Sequence, residues 1–456
     1  DLQNYERTRW IAEVKFLKAY YHYYLFMLYG PIPIMDTNIA VDASQDEVRR
    51  YREPVDDVVA YISNLLDEAY KDLPSKITDP GQEMGRITQP IAKAVKAQLL
   101  LLAASPLFNG NSDYINVKDN QGRHLFPTQV DNSKWKLAAD AALEAINCAK
   151  ENGHEKLYTF SLPINSISAA TRKLLDIGEA VTEKWNEEII WGSTRNVNGL
   201  QTVAMAKHTK GSHYNARSVL GPTLSVAEAF YSSNGVPISE DNSDFWTANY
   251  PNRYEITTIP DEGNNKYYLL RVMHFYLLGE QTAYLHLNRE PRFYASLSFD
   301  RGTWYGDGYT NDEPANLAFY HFRAKEVSGR QTSEDHSYTG YLNKKVCSYK
   351  TGLTKDGFSP YRYSFPIIRL ADLYLMYAEA LNESQESPTQ DVYDYVDLVR
   401  ERAGLKGVKE SWSKYSKSPD KPNTKNGMRE IIRMERLNEL ACEGKRFWDL
   451  RRWKKE

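Results

Sequence analysis

Residues 428–456 read MREIIRMERLNELACEGKRFWDLRRWKKE, and this stretch decides how the end of the chain folds. Its apolar residues recur three or four positions apart, which predicts an amphipathic helix with one shared face: Ile431, Met434, Leu437, Leu440 and Ala441. Glu435, Glu439 and Glu443 lie four apart on another face, where like charges repel by roughly a few tenths of a kcal/mol per pair. A fold that aligns these three carboxylates must therefore supply cations.

Cations follow directly in the sequence. After a predicted break at Gly444, four basic residues alternate with aromatic ones: Lys445, Arg446, Phe447, Trp448, Arg451, Arg452 and Trp453. We expect an aromatic, arginine-rich helix that docks onto the acidic stripe. An internal ion-pair network is favoured over catalytic carboxylates for the stripe. Similar buried or half-buried pairs are expected to include Arg369 with Asp372, and Arg400 with Arg402.

The terminal string resembles the C-terminal signature of the SusD/RagB family, which are surface glycan-binding lipoproteins of the Bacteroidetes. Further blocks resemble the family's in the same order, among them AEVKFLKAYYHYYLFMLYGPIPIM, ITQPIAKAVKAQLLLLAASPL, REPRFYASLSFDRGTWYG and FPIIRLADLYLMYAEALNE followed by VDLVRERAGL. These blocks occupy residues 12–35, 87–107, 289–306, 365–383 and 396–405. The resemblance therefore spans nearly the whole chain.

The resemblance implies stacked tetratricopeptide-like helix pairs and a non-catalytic protein that binds glycans or oligosaccharides. It also implies an outer-membrane, cell-surface location through an N-terminal lipid that this chain does not contain. The implied partner is a SusC-like TonB-dependent transporter that imports the bound glycan for nutrient uptake, and no cofactor is implied. Family members usually carry a signal peptide and more residues before the opening helix, so we expect segments of the family to lie outside these 456 residues.

Composition restricts the function. A hydrophobic content of 41% and a charged content of 26% are ordinary for a globular protein, and a net charge of −3 gives no electrostatic reason to bind nucleic acid. No apolar run reaches the ~18 residues that span a bilayer. Three cysteines are too few for a disulfide framework. Tyrosine is unusually abundant, with 33 residues against 15 phenylalanines. Its ring combines an apolar face with a hydroxyl that can stay hydrated, which suits sugar stacking as well as helix packing.

The periodicity predicts a mostly α fold with an irregular, loop-rich middle. Residues 1–150 read as four helices that form a hairpin scaffold, and the stripe of the first helix is Trp10, Val14, Leu17, Tyr21, Tyr24 and Leu28. Residues 151–365 are rich in Gly, Asn, Ser and aromatics and form the predicted ligand-face region, with short strands at 187–192 and 293–299. Residues 366–456 return to helices that pack on the scaffold. We interpret the whole as one integrated domain.

The common motifs for catalysis and metal binding are missing from the sequence. It contains no H-E-x-x-H, G-x-S-x-G, P-loop or dinucleotide-binding glycine motif. The oxygen-rich stretch 307–313 lacks the EF-hand spacing, so a solvated turn is favoured there over a calcium site. His208 and His213 lie five apart in a loop, and a metal site at this pair is disfavoured. We therefore predict neither a metal nor catalytic residues.

Aromatic residues outside the helical stripes are the candidate ligand contacts, because sugars stack their C–H faces on flat rings. The predicted ligand-binding residues are Tyr158, Trp191, His213, Tyr214, Phe245, Trp246, Tyr250, Trp304 and Tyr305. Further candidates are Trp185, Tyr309, Asn198, Asn215, Arg217 and Asn249. The sequence favours an exposed aromatic pair at Phe245 and Trp246, which follow a polar loop. The sequence favours a core position for Trp191 over a ligand contact, and it favours neither of these two roles for Trp304.

Two alternatives to a non-catalytic glycan-binding protein stay open from the residues alone. One is a glycoside hydrolase on a helical scaffold, which would need two carboxylates converging on the aromatic face. The other is a helical-repeat adaptor that binds only protein, which would present a large apolar groove instead of exposed aromatic rings. The identity of the glycan is not encoded in any motif of this sequence.

Overall fold

The computed structural model describes residues 3–161, 167–260, 274–307, 309, 311–331 and 333–455. The chain divides into two units. The first comprises Asp1–Glu155, Ile368–Val392 and Lys445–Glu456, and the second comprises Lys156–Ile367 and Tyr393–Gly444. The chain thus leaves the first unit and returns to it twice, and this grouping cuts across the three predicted segments.

The described α-helices, in chain order, are α1 (Asn4–Tyr29), α2 (Gln45–Val48), α3 (Val55–Asp72), α4 (Pro80–Glu83), α5 (Gln89–Ala104), α6 (Ser133–Glu151), α7 (Ala169–Thr182), α8 (Asn198–Ala204), α9 (Leu224–Ala229), α10 (Asp244–Asn249), α11 (Pro291–Ser296), α12 (Leu370–Ser384), α13 (Gln390–Arg402), α14 (Val408–Tyr415), α15 (Lys425–Glu439) and α16 (Arg446–Trp453).

The described strands are short: β1 (Ile189–Asn196), β2 (Ile256–Thr258), β3 (Gln281–Ala283), β4 (Leu297–Ser298), β5 (Thr303–Trp304), β6 (Ala318–Phe319), β7 (Leu342–Asn343), β8 (Gly352–Leu353), β9 (Phe358–Ser359) and β10 (Ser364–Arg369). They form two-stranded sheets, in which β2 pairs with β3, β4 with β7, β5 with β6 and β8 with β9, all antiparallel. The predicted fold class, mostly helical with short strands, is confirmed.

Long helices pack as an array in the first unit, where α1 contacts α3, α3 contacts α5, α5 contacts α6, and α6 contacts α12. Alanines on the facing sides of α5 and α6 are buried, which lets the two backbones approach closely. Each helix begins where the sequence permits: α3 follows Pro54, and Pro90 lies in the first turn of α5. The predicted stack of helix pairs is therefore present.

The orientation of α1 differs from its predicted orientation. The buried residues of α1 are Ala12, Phe16, Ala19, His22, Tyr23 and Phe26. Residues of the predicted stripe, Trp10, Val14, Leu17, Tyr21 and Tyr24, are instead exposed. Periodicity identified an apolar face correctly, but α1 has two of them. The face with small residues and phenylalanines packs against α3, because these side chains allow a closer approach.

In the second unit, buried carboxylates accept backbone hydrogen bonds that a regular sheet would otherwise satisfy. The backbone N–H of Tyr158 donates to Glu188 at 2.9 Å, that of Phe160 to Asp176 at 2.7 Å, and that of Tyr231 to Glu290 at 2.8 Å. Irregular chain leaves amide groups without ladder partners, and buried N–H groups must be paired. Side-chain acceptors therefore allow these loops to be buried. The strand predicted at 293–299 is mostly wrong, because Pro291 begins the helix α11 and only β4 is extended.

The acidic stripe, whose first two glutamates lie on α15 and whose third lies in the turn after it, belongs to a buried ion-pair network of the second unit. Arg292 donates to Glu290 at 2.6 Å and to Glu435 at 2.8 Å, and Arg400 also pairs with Glu435. Beyond these contacts, Arg402 bridges Glu188 and Glu439, and Lys345 binds Glu443 at 2.7 Å. An internal network is present, as predicted, but its cations are not the arginines that follow the stripe. Arg400 and Arg402, which were expected in similar pairs, belong to it, and Arg292 and Lys345 were not anticipated.

The arginine-rich end of the chain makes contacts within the first unit. Arg452 makes two hydrogen bonds of 2.6 Å to the carboxylate of Glu379 on α12, and a further contact to Asp449. Arg451 donates to the carbonyls of Met27 and Leu28 at the end of α1, both at 2.6 Å. The aromatic, arginine-rich helix α16 was thus predicted correctly. Its two arginines bind carbonyls of α1 and acids of the first unit, whereas the prediction paired α16 with the acidic stripe.

Candidate functional site

Five of the predicted contact rings are buried in the second unit: Tyr158, Trp191, Trp246, Trp304 and Tyr305. Trp246 is only 1% exposed and packs with Ile238 and Leu285. The expected exposed pair at this position is therefore wrong for Trp246. Buried Asp241 accepts the backbone N–H of Ser243 at 2.8 Å where α10 begins, and α10 then turns the indole inward. Ligand contact through these five rings would require them to move, and it stays a prediction.

The loop 208–217 carries the most accessible of the predicted rings. Tyr214 is 72% exposed, and the half-buried ring of His213 lies 4.4 Å from it, centroid to centroid, with an interplanar angle of 32°. Asn215 and Arg217, both predicted as polar contacts, are exposed in the same loop. An accessible ring with hydrogen-bonding groups at its edge is the arrangement that sugar binding requires.

Backbone hydrogen bonds and one close packing contact hold loop 208–217 in place. The backbone N–H of His213 donates to the carbonyl of Thr354 at 3.2 Å, and that of Arg217 donates to the carbonyl of Thr202 at 2.9 Å. Gly211 lies so close to Leu353 that a Cβ at this position would stand 2.0 Å from the Leu353 carbonyl oxygen. Only glycine fits there, so this residue restricts the path of the loop.

Two further exposed tyrosines lie on segments that contact this loop. The ring of Tyr309 lies 4.2 Å below the ammonium group of Lys210, and the hydroxyl of Tyr305 donates to the Tyr309 carbonyl at 2.8 Å. Arg217 forms an ion pair of 3.8 Å with Asp335, three residues before Tyr338, which is 73% exposed. We call Tyr214, Tyr309 and Tyr338 the tyrosine surface.

Sequence reasoning missed Tyr338. The signal that could have found it is its setting, His-Ser-Tyr-Thr-Gly, a polar loop with a turn glycine. An aromatic residue flanked in this way has no stripe to join and no strand to pack in. The ring of His336 lies 4.7 Å from that of Tyr338, which repeats the histidine–tyrosine neighbourhood of His213 and Tyr214.

A second aromatic cluster lies around α10, where Phe245 and Tyr250 are half-buried. The guanidinium of Arg253 lies 4.4 Å from the Tyr250 ring and 4.3 Å from the Tyr254 ring. Arg253 also donates to Glu228 at 2.6 Å. The arginine covers a face of Tyr250 and of Tyr254, just as Lys210 covers a face of Tyr309, so these rings are less open than Tyr214 and Tyr338. The tyrosine surface, with two rings more than 70% exposed, is the better candidate site.

The polar pair His208 and Asp307 lies at the start of loop 208–217, with both side chains largely buried. The imidazole of His208 lies 3.4 Å from the carboxylate of Asp307 and 6.3 Å from the ring of Trp304. Burial lowers the pKa of His208 to about 3 and raises the pKa of Asp307 to about 6. At neutral pH the histidine is therefore neutral and the aspartate is charged, so Asp307 can accept the backbone N–H of Leu353 at 2.9 Å. This contact helps to hold the strand β8 that supports the loop.

A small cavity of about 40 Å³ lies in the second unit, and its lining includes Glu179, His274, Trp304, Lys344 and Tyr349. This volume holds a few water molecules and is too small for a sugar ring. The cavity is therefore not an oligosaccharide site. Its lining does include two titratable groups with shifted pKa values, since desolvation raises the pKa of buried Glu179 to about 7 and lowers the pKa of half-buried Lys344 to about 7.

Glu179 predicts a pH dependence of stability. Its carboxyl has an ordinary pKa of 4.5 and a pKa of about 7 when folded, because burial outweighs the hydrogen bonds that it accepts from Thr182 and from the backbone of Tyr349. Between these values the folded state keeps a proton that the unfolded chain loses, so the free energy of unfolding falls as pH rises from about 4.5 to 7. Glu179→Gln should remove roughly 1–3 kcal/mol of this fall.

The measurement is urea unfolding of both proteins at several values of pH. Glu410→Gln, which removes a 60% exposed carboxyl on α14 of the same unit, is the control and should retain the wild-type slope. Parallel curves for Glu179→Gln and the wild type would contradict this assignment.

Metal-binding and membrane-spanning features are absent from the described part of the chain. There, no three side chains of His, Cys, Asp or Glu converge as a metal site would require. The oxygen-rich stretch 307–313 includes residues 308 and 310, which lie outside the described residues. No described helix is both long enough and apolar enough to cross a bilayer. The cysteines are unpaired thiols, with Cys148 and Cys347 buried and Cys442 half-buried.

This mostly helical chain, with exposed aromatic rings on its loops, was compared with known protein families and solved structures. The SusD family model matches residues 187–456. The solved structure of BT4246 is 30% identical, with a TM-score of 0.78, and the match covers 99% of this chain and 74% of that one. The chain belongs to the SusD family, as the sequence blocks indicated. No curated protein matches the chain.

More distant structures share the fold. A SusD-like protein from Bacteroides fragilis is 19% identical with a TM-score of 0.64, over 99% of this chain and 70% of that chain. The surface glycan-binding protein A from Bacteroides uniformis is 17% identical with a TM-score of 0.52, over 100% of this chain and 68% of that chain. At these identities the similarity concerns the fold alone.

Proposed function

We propose that this chain binds glycans non-catalytically at the cell surface of the outer membrane and delivers them to a SusC-like TonB-dependent transporter. The observation that carries the proposal is the tyrosine surface, in which Tyr214 exposes 72% of its area beside His213, Asn215 and Arg217. Flat rings bind the C–H face of a sugar, and the neighbouring amide and guanidinium groups bind its hydroxyls. Membership of the SusD family and the name of the Bacteroides uniformis relative support the same function.

Rigidity supports this function physically. Loop 208–217 is fixed by backbone hydrogen bonds to Thr202 and Thr354 and by the tight contact at Gly211. A ring that is already positioned loses little conformational entropy when a ligand stacks on it. Individual sites of this kind are weak, and pairing with a transporter would raise the effective concentration of the glycan at the import channel. Attachment to the membrane through an N-terminal lipid completes the proposal.

Tyr214 is the residue on which we expect binding to depend most. A glycan array identifies an oligosaccharide, and calorimetric titration then compares variants. Tyr214→Ala should lower the affinity by about tenfold, which corresponds to roughly 1.4 kcal/mol, because the stacking surface is removed while the loop backbone is retained. Tyr5→Ala is the matched control, since Tyr5 is 71% exposed but lies on α1 in the first unit. Equal affinities of Tyr214→Ala and the wild type would refute the placement of the site.

Binding without cleavage is the second part of the proposal. The stripe carboxylates Glu435 and Glu439 are enclosed by arginines in the buried network. A glycosidase needs two carboxyl groups that face the scissile bond, and these two face guanidinium groups instead. A labelled array-selected oligosaccharide, incubated with the protein and analysed by chromatography, should be recovered intact. Release of shorter products by the purified chain would establish the hydrolase alternative.

A further inference from the structure

Lys344 lines the small cavity of the second unit without an acidic partner. Its Nζ donates to two backbone carbonyls, to that of Tyr294 at 2.9 Å and to that of Thr303 at 2.8 Å. Glu179 lines the same cavity, yet within the described part of the chain no carboxylate forms an ion pair with Lys344. A charge that is withdrawn from water needs a counter-ion, so this position favours the neutral amine.

Lys345, the next residue along the chain, has the opposite environment. It is 1% exposed, and its Nζ lies 2.7 Å from the carboxylate of Glu443 in the buried ion-pair network. The charge of Lys345 is therefore compensated, whereas that of Lys344 is not. Because two adjacent lysines differ in this way, the neutral amine is a property of the surroundings of Lys344 and not of the whole segment.

The hydrogen bonds of Lys344 leave one position on its nitrogen open. Of the four tetrahedral positions around Nζ, one holds the side-chain carbon, and two hold the hydrogens that the carbonyls of Tyr294 and Thr303 accept. No other polar group of the described residues contacts Nζ. In the neutral amine the open position holds the lone pair, which is the nucleophilic part of the group. Desolvation lowers the pKa of Lys344 from 10.5 to about 7, so about half of the molecules carry the neutral amine at pH 7.

We propose that Lys344 is a modification site for small aldehydes, which its amine captures as an imine. The lone pair of Nζ attacks the aldehyde carbon, and a C–N bond forms. The two hydrogens of the amine leave with the aldehyde oxygen as one molecule of water, and the C=N bond remains. The step needs neither an oxidant nor a reductant. A desolvated lysine is the arrangement that enzymes use to form imines with carbonyl compounds.

The cavity limits the size of the aldehyde. Its volume of about 40 Å³ holds about three water molecules at roughly 10–15 Å³ each, so an aldehyde of one or two carbons fits. Lys344 is half-buried, so a molecule of this size can reach its amine from solvent. Cys347 also lines the cavity, but burial raises the pKa of its thiol, which therefore stays protonated and unreactive.

Reductive methylation at pH 7 tests the proposal. Formaldehyde forms the imine and an amine–borane reduces it, so each captured aldehyde stays as a methyl group that peptide mass spectrometry locates. The reference is Lys406, whose side chain is 73% exposed. An ordinary lysine is neutral in fewer than about one molecule in a thousand at this pH, and although partial burial slows access, Lys344 should be methylated at least about tenfold faster than Lys406.

Two arginine variants complete the test. Lys344→Arg keeps a cationic side chain but has no amine, so it should lose the fast methylation of a lysine, whereas Lys406→Arg should keep it. Methylation of Lys344 at the same rate as Lys406 in the wild type would overturn the proposal. So would a lysine methylated equally fast in Lys344→Arg. The rates in the wild type decide the outcome by themselves if Lys344→Arg does not fold.

Discussion

Replacing Glu435 with alanine is expected to destabilise the second unit by about 3–5 kcal/mol. Glu435 is fully buried and accepts from two arginines, Arg292 at 2.8 Å and Arg400. Both guanidinium groups are themselves fully buried. Removing the shared carboxylate takes a counter-ion from both buried arginines, with Glu290 remaining for Arg292, and burial without full compensation is what makes such a change costly.

Glu430 provides the matched control on the same helix, α15. Its carboxylate pairs with Lys421 at 2.8 Å but is 65% exposed, so Glu430→Ala should cost no more than about 1 kcal/mol. Amide hydrogen exchange locates the effect, because a chain with two units need not unfold in one step. Protection should fall in α13 and α15 for Glu435→Ala and stay at the wild-type level for Glu430→Ala. Equal losses in the two variants would show that the buried network contributes no more than a surface pair.

Replacing Glu379 with alanine should destabilise the first unit by a similar amount, about 3–5 kcal/mol. Its carboxylate accepts two hydrogen bonds of 2.6 Å from Arg452 and one of 2.6 Å from the indole N–H of Trp453. The same arginine donates to the hydroxyl of Ser105 at the end of α5. One carboxylate on α12 thus holds α16 in place, and its loss should release the last helix of the chain.

Glu144 on α6 serves as the control for this prediction, because its pair with Lys93 is exposed. Glu144→Ala should change stability by no more than about 1 kcal/mol. Limited proteolysis measures the outcome: cleavage near α16 should accelerate strongly in Glu379→Ala and remain slow in Glu144→Ala. An α16 that resists protease equally in both variants would contradict the role assigned to Glu379.

The sequence predicted that buried ion-pair networks exist, but it identified only some of the residues that form them. Glutamates four residues apart on one helix indicate buried cations, because exposed like charges at that spacing would only repel. The cations that the structure places there include Arg292 and Lys345, which are distant along the chain. No periodicity links α11 to α15, so this pairing arises from the tertiary fold alone.

Tertiary packing, which local sequence does not encode, also decided which of the predicted site residues are exposed. Tyr214 was identified because it lies in an irregular, polar stretch where no stripe could bury it. Trp246 follows an equally polar loop, yet it is 1% exposed, because buried Asp241 binds the backbone of Ser243 where α10 begins and α10 directs the indole inward. On α1, two apolar faces compete, and packing against α3 selected the face with smaller side chains. Local sequence shows which residues are apolar, and the packing partner determines which of them stay exposed.

We propose that glycan binding by this chain depends on a stiff loop that presents an open tyrosine ring to carbohydrate and leaves the sugar whole. A crystal structure of the chain with an array-selected oligosaccharide tests that claim most directly. We expect one intact sugar ring in van der Waals contact with the face of Tyr214, with Asn215 or Arg217 within hydrogen-bond distance of its hydroxyls. An oligosaccharide bound away from loop 208–217, or density for cleaved products, would contradict it.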